Sequence, residues 1–180
     1  VEMGARAVDS PVELADRDLV FSMVSASKDL KQVMLGDGGL LTGSVAPKVI
    51  ADSSTVSIEA SAEIRQAASE KGAEFLATPV SGNPAVIAAG KLTVAVSGPR
   101  KVYEETLPVL EVFGRGVTYV GEGEVARLVK IAHNVFLGVV TQSLAEITVL
   151  AERGGVTREA FLSFLNDSVM GSVFTQYKTP

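Results

Sequence analysis

No cysteine, no tryptophan and only one histidine occur in the 180 residues. The missing cysteines exclude disulfides and thiolate metal sites. A lone histidine, with no second at ligand spacing, leaves no ligand set for zinc. Aromatic residues are scarce, at 6%, and basic residues nowhere cluster in a chain of net charge −5. That balance argues against nucleic acid as the main partner. No secretory leader pattern is read at the start, and the cytoplasm is the expected compartment. The uncharged run at residues 131–145, in the most apolar part of the chain, is 15 residues long and contains His133, Asn134, Thr141, Gln142 and Ser143. From that run no membrane span is expected.

One further absence governs the reading. A strand, then Gly-x-Gly-x-x-Gly, then a helix is not found anywhere. Gly36, Gly38 and Gly39 follow a helical pattern at the wrong spacing and read as a turn. Gly121-Glu-Gly-Glu124 follows a strand but lacks the third glycine, and its two carboxylates would repel a pyrophosphate. It reads as a helix-entry loop.

What is present is a chain built for a core, with 47% apolar residues and 21% charged residues of interspersed sign. It can hold one domain, or one domain and part of another. Strands are expected at 5–8, 18–24, 48–51, 73–76, 92–97 and 117–120. Helices are expected at 27–35, 54–71 and 99–113, and Ser10, Pro11 and Glu13 form a further helix-start signal. Strands alternating with helices of this length imply βαβ units and a parallel, doubly wound sheet. The pattern then changes. Residues 124–153 read as a single helix of about 45 Å, ended by Gly154 and Gly155, with another helix starting at Thr157. Its middle is apolar nearly all round, as expected of a helix packed on several sides, a partner subunit among them.

Three stretches carry chemistry. TPVSG at 78–82 ends a buried strand, where open α/β sheets gather ligands. There the Ser81 hydroxyl and the amides of Ser81 and Gly82 could hold a carboxylate, although a turn needing proline and glycine accounts for the segment as well. DSST at 52–55 opens a helix, which its hydroxyls could cap or from which they could reach a cofactor, capping being sufficient to explain them. Lys130 sits in an apolar context with Asn134 one turn later on the same face. A lysine in low dielectric exchanges its proton nearer neutrality, and snorkelling to solvent is the alternative.

With these segments the chain resembles the β-hydroxyacid dehydrogenases, the family of 3-hydroxyisobutyrate dehydrogenase and tartronate semialdehyde reductase. The resemblance rests on four ordered motifs: Asp52-Ser-Ser-Thr55, ATPVSGN at 77–83, GKLTVAVSG at 90–98 and Lys130-Ile-Ala-His-Asn134. It implies part of a Rossmann-type NAD(P)-binding domain at 1–122 and the start of an all-α substrate and dimerisation domain at 123–180. Lys130 would be the general acid/base. Ser81, Gly82 and Asn83 would bind the substrate carboxylate, and Asn134 would orient substrate and lysine. Met23, Val24 and Thr55 would contact the nicotinamide half of NAD or NADP. The implied reaction is hydride transfer with a small β-hydroxy acid or its semialdehyde, in a homo-oligomer formed through the helical domain. The sequence departs from the family pattern at Asn83, which replaces a glycine and narrows the cradle, at Ala77, at His133 and at Lys91. The family's glycine loop and a second, substrate-side lysine would lie outside these residues, so the 180 residues alone are expected to bind dinucleotide poorly. A non-catalytic, dehydrogenase-like module that binds a partner through the long helix is the alternative.

Overall fold

The computed structural model describes residues 4–178. The chain divides into two compact units, with the boundary between Ala132 and His133.

The first unit is a six-stranded sheet with helices on both faces. β1 (Leu19–Ser22), β2 (Val49–Asp52) and β3 (Glu74–Ala77) run parallel, with Ser22, Asp52 and Ala77 level with one another. β5 (Leu92–Ser97) pairs in parallel with β6 (Gly114–Gly121). Alternation along β3 defines the two faces. Phe75 and Ala77 pack with Leu30 and Met34 of α1 (Ser27–Leu35) and with Ile64 and Ala68 of α2 (Ile58–Glu70). Leu76 points the other way, among Val94, Val96 and the Val102, Tyr103 and Leu110 side chains of α4 (Arg100–Leu110). Each fully buried Leu, Ile or Phe contributes about 1.5–3 kcal/mol.

Local chemistry sets the helix ends. Ser57 caps α2, its Oγ accepting from the Ala60 amide at 3.1 Å. Gly72 closes the same helix at φ +76°, a conformation that side chains resist.

The sheet is parallel-dominated rather than wholly parallel. β3 meets β5 antiparallel at Ala77 and Ser97, and β4 (Val80–Ser81) lies antiparallel on β5. β4 and the short α3 (Pro84–Ala88) were not expected. Pro79 and Pro84 punctuate that stretch, which therefore reads as a turn, and a two-residue strand leaves no periodicity to detect. The strand expected at 5–8 does not form. Those residues are mostly exposed and pair with no strand among the described residues. The helix expected at 99–113 ends at Leu110 and tightens into a 3₁₀ turn, Glu111–Phe113.

α5 (Val125–Arg153) begins in the first unit and continues into the second, which adds α6 (Arg158–Asp167) and α7 (Val173–Lys178). Thr157 caps α6 through the Ala160 amide at 3.2 Å. With 29 residues and a mean hydropathy of 1.4 over its most apolar 18, α5 is long and apolar enough to cross a membrane by length and composition. The short uncharged run at 131–145 therefore does not exclude a span.

Candidate functional site

The site is built where the carboxyl ends of β1, β2 and β3 meet the start of α5. Asp52, the last residue of β2, is fully buried. A buried carboxylate needs partners for its charge and lone pairs, and here every one is supplied. Its Oδ1 accepts from Ser22 Oγ at 2.6 Å and from Ser54 Oγ at 2.7 Å. Its Oδ2 accepts from Arg127 Nη2 at 2.5 Å. Arg127 is itself only 1% exposed. Its Nη1 donates to the Ser54 carbonyl at 2.6 Å and its Nε to Ser61 Oγ at 3.0 Å. Burial pushes the guanidinium below its ordinary value and Asp52 opposes that shift, so the group stays a cation.

A second ion pair lies beside the first. Arg65 Nε donates to Glu124 at 2.5 Å, and Ser61 Oγ also donates to Glu124. Arg65 reaches on to the carbonyls of Phe75 and, at 2.7 Å, of Gly123. Ser97 Oγ donates to that same Gly123 carbonyl at 2.7 Å and accepts from the Ala126 amide at 3.0 Å. Gly121 and Gly123, at φ +133° and +58°, let the loop turn into α5. The loop is a helix entry, as its sequence indicates. Glu124, however, is no free repelling charge, because Arg65 neutralises it and the Ser61 hydroxyl hydrogen-bonds it.

These contacts fix the first turn of α5. Ala126 and Arg127 face inward, whereas Leu128 and Val129 are exposed. Lys130, at i+4 and i+3 from that buried pair, continues the inward face and is half-buried. Burial lowers its ammonium below the ordinary 10.5. Among the described residues no carboxylate pairs with it. A partly desolvated, unpaired lysine is suited to exchanging a proton.

Of the other expected site residues, three stand at the strand ends. Met23 and Val24 follow β1, and Thr55 follows β2; Met23 and Thr55 are exposed and Val24 is half-buried. The Val24 amide donates to Ser54 Oγ at 2.9 Å, which joins this loop to Asp52. Ser53 and Thr78 share a hydroxyl contact of 3.0 Å. A cavity of about 310 Å³ opens beside Phe21, Met23 and Val24.

Ser81 lies on β4, and its carbonyl accepts from Thr93 Oγ1 at 3.4 Å. Gly82 sits against side chains, since a Cβ there would stand 2.7 Å from Leu92 Cδ1 and 2.9 Å from Val86 Cγ1. Asn83 has a structural role, its Oδ1 accepting from the Val86 amide at 2.9 Å at the start of α3. Lys91 is exposed. Asn134 belongs to the second unit, where His133 Nδ1 lies 3.3 Å from its Oδ1. Sequence reasoning missed Arg127, Arg65 and the anchoring part of Glu124. The available signal was an apolar strand, VIAD at 49–52, ending in a carboxylate that burial obliges to find a cation.

An open α/β sheet whose loops gather at the carboxyl ends of its strands, with a half-buried lysine beside them, is the architecture of a dinucleotide-binding domain. The model of the NAD binding domain of 6-phosphogluconate dehydrogenase matches residues 1–121. The chain belongs to this family, within which the β-hydroxyacid dehydrogenases fall, and its cofactor is NAD or NADP. A 3-hydroxyisobutyrate dehydrogenase from Pseudomonas aeruginosa is 31% identical over 173 residues, 96% of this chain and 58% of that protein. The cytokine-like nuclear factor N-PAC from Homo sapiens is 31% identical over 180 residues, 99% of this chain and 32% of that protein. The solved structure of Psf3 in complex with NADP+ and 2-OPP superposes with a TM-score of 0.84 at 25% identity, covering 98% of this chain and 63% of that one. The chain thus spans less than two thirds of the length of each of these relatives.

Proposed function

We propose that the chain is part of an NAD(P)-dependent oxidoreductase acting on a small β-hydroxy acid or its semialdehyde, with Lys130 as the general acid/base. The observation that carries this reading is the half-buried, unpaired Lys130, held one turn beyond a buried anchor beside the strand ends. Residues 1–122 form the cofactor side and residues 123–180 the start of the helical side. Met23, Val24 and Thr55 hold the nicotinamide half, and the bound nicotinamide supplies or accepts the hydride. Lys130 gives its proton to the carbonyl oxygen during reduction and removes the hydroxyl proton during oxidation. Ser81, Gly82 and Asn83 hold the carboxylate, and Asn134 orients substrate and lysine. The compartment is the cytoplasm.

The test is oxidation of NADH and NADPH with succinic or tartronic semialdehyde, by the 180 residues and by the whole gene product. Lys130→Met should cost roughly 10²–10⁴-fold in kcat. A whole product that binds neither dinucleotide, or an unaffected kcat, would remove the reading.

Two observations support assembly through the helices, either with a second copy or, in a non-catalytic module, with another protein. In the second unit Phe136, Leu144, Ile147, Phe161 and Leu165 line an apolar cavity of about 490 Å³. Val135, Val139 and Leu150 of α5 are exposed. N-PAC, similar over the same residues, carries the name of a nuclear factor rather than of an enzyme. Light scattering separates a homo-oligomer from a monomer that awaits a partner.

A further inference from the structure

We propose that Arg127 and Asp52 are positioning residues: their buried pair holds Lys130 and the 23–24 loop in one fixed relation. The inference rests on the reading of Lys130 given above and adds what places it. Asp52 is the shared node. One carboxylate oxygen binds Ser22 and Ser54, and Ser54 in turn holds the Val24 amide. The other oxygen binds Arg127, on the same inward face of α5 as Lys130 and one turn before it. The loop expected to meet the nicotinamide and the lysine expected to move the proton are therefore joined through four side chains, Ser54, Asp52, Arg127 and Lys130, along one strand end and one helical turn.

The chemistry favours positioning over simple glue. A buried ion pair adds little stability relative to an apolar pair of the same volume. What the guanidinium adds is direction. Three of its nitrogens are committed, to Asp52, the Ser54 carbonyl and Ser61, and a planar fork so engaged fixes the rotation of the helix that carries it. The charges closest to Lys130 in sequence are Arg127, on α5, and Glu124, just before it, and Glu124 is committed to Arg65 and Ser61. A small rotation of α5 would carry Lys130 toward solvent, and misplacement of about 1 Å is enough to cost roughly 10²-fold in rate.

The experiment reads geometry without dinucleotide or substrate. The pH profile of Lys130 acetylation by acetic anhydride is followed by mass spectrometry, and hydrogen exchange is followed at the Val24 amide. Both use the whole chain, with folding checked by circular dichroism. The charge-neutral double variant Asp52→Asn with Arg127→Met removes both partners. It should fold, move the midpoint of the Lys130 profile up toward that of an ordinary lysine, and speed Val24 exchange about tenfold. Arg127→Lys keeps the charge without the fork and should lie between the double variant and the wild type in both readouts. An unchanged Lys130 profile in either folded variant overturns the proposal. Because no turnover is involved, that result stands apart from whatever Lys130→Met does to activity.

Discussion

Arg127 Nη2 lies 2.5 Å from Asp52 Oδ2, across 75 residues of chain, with both side chains shut away from water. The cation of a helix start is thereby fastened to the carboxylate of a strand end. Asp52→Asn alone leaves the guanidinium buried without its counter-charge, which costs about 3–5 kcal/mol. Urea unfolding should show the loss as a lower midpoint at unchanged slope.

Lys130 gives a pH signature of defined sign. Its folded value is depressed below the ordinary 10.5 by burial. Between the folded and unfolded values the unfolded chain binds more protons, so stability rises with pH across that window. Below the window the full desolvation penalty is present. Lys130→Met removes it, so the variant should melt higher at pH 7 and lose the alkaline rise below 10.5. Melting curves from pH 7 to pH 11 check both effects.

Gly82→Ala introduces a methyl group against Leu92 and Val86 at 2.7 and 2.9 Å. Both neighbours are side chains, so the packing gives way rather than the backbone. A loss of about 1–3 kcal/mol is expected, measured by equilibrium denaturation.

Asn83 separates cap from cradle. Asn83→Ala removes the bond to the Val86 amide and costs about 1 kcal/mol, whereas glycine at a cap costs only a few tenths. Asn83→Gly thus opens the cradle with little change in stability. KM for tartronic semialdehyde should fall in this variant, and an unchanged KM would leave Asn83 with the helix cap alone.

The elements that sequence revealed are those whose signal is periodic or punctuated. β5 runs over Leu92–Ser97 as expected, because a β-branched, mostly apolar stretch between Gly90 and Gly98 has few other solutions. α2 begins at a serine and ends before a glycine for the same reason. The strand pattern at 5–8 was overruled because a strand exists only where another edge accepts its bonds. At the site, Lys130 stood out as a lone charge in apolar surroundings. Arg127 did not, because three residues before Lys130 it looks like a second solvent-facing cation, and only the sheet's closure reveals Asp52 opposite. The antiparallel β4 was hidden by prolines that usually mark turns.

The separation of Asp52 and Arg127 by 75 positions also sets an order of events. Closing so long a loop carries an entropic cost, so the pair forms after β1, β2 and β3 have zipped together through nearer contacts. It is therefore expected to lie outside the rate-limiting nucleus. Weakening it should leave the refolding rate nearly intact and hasten unfolding. Asp52 and Arg127 thus govern how long each molecule keeps its shape, independently of how fast it was reached.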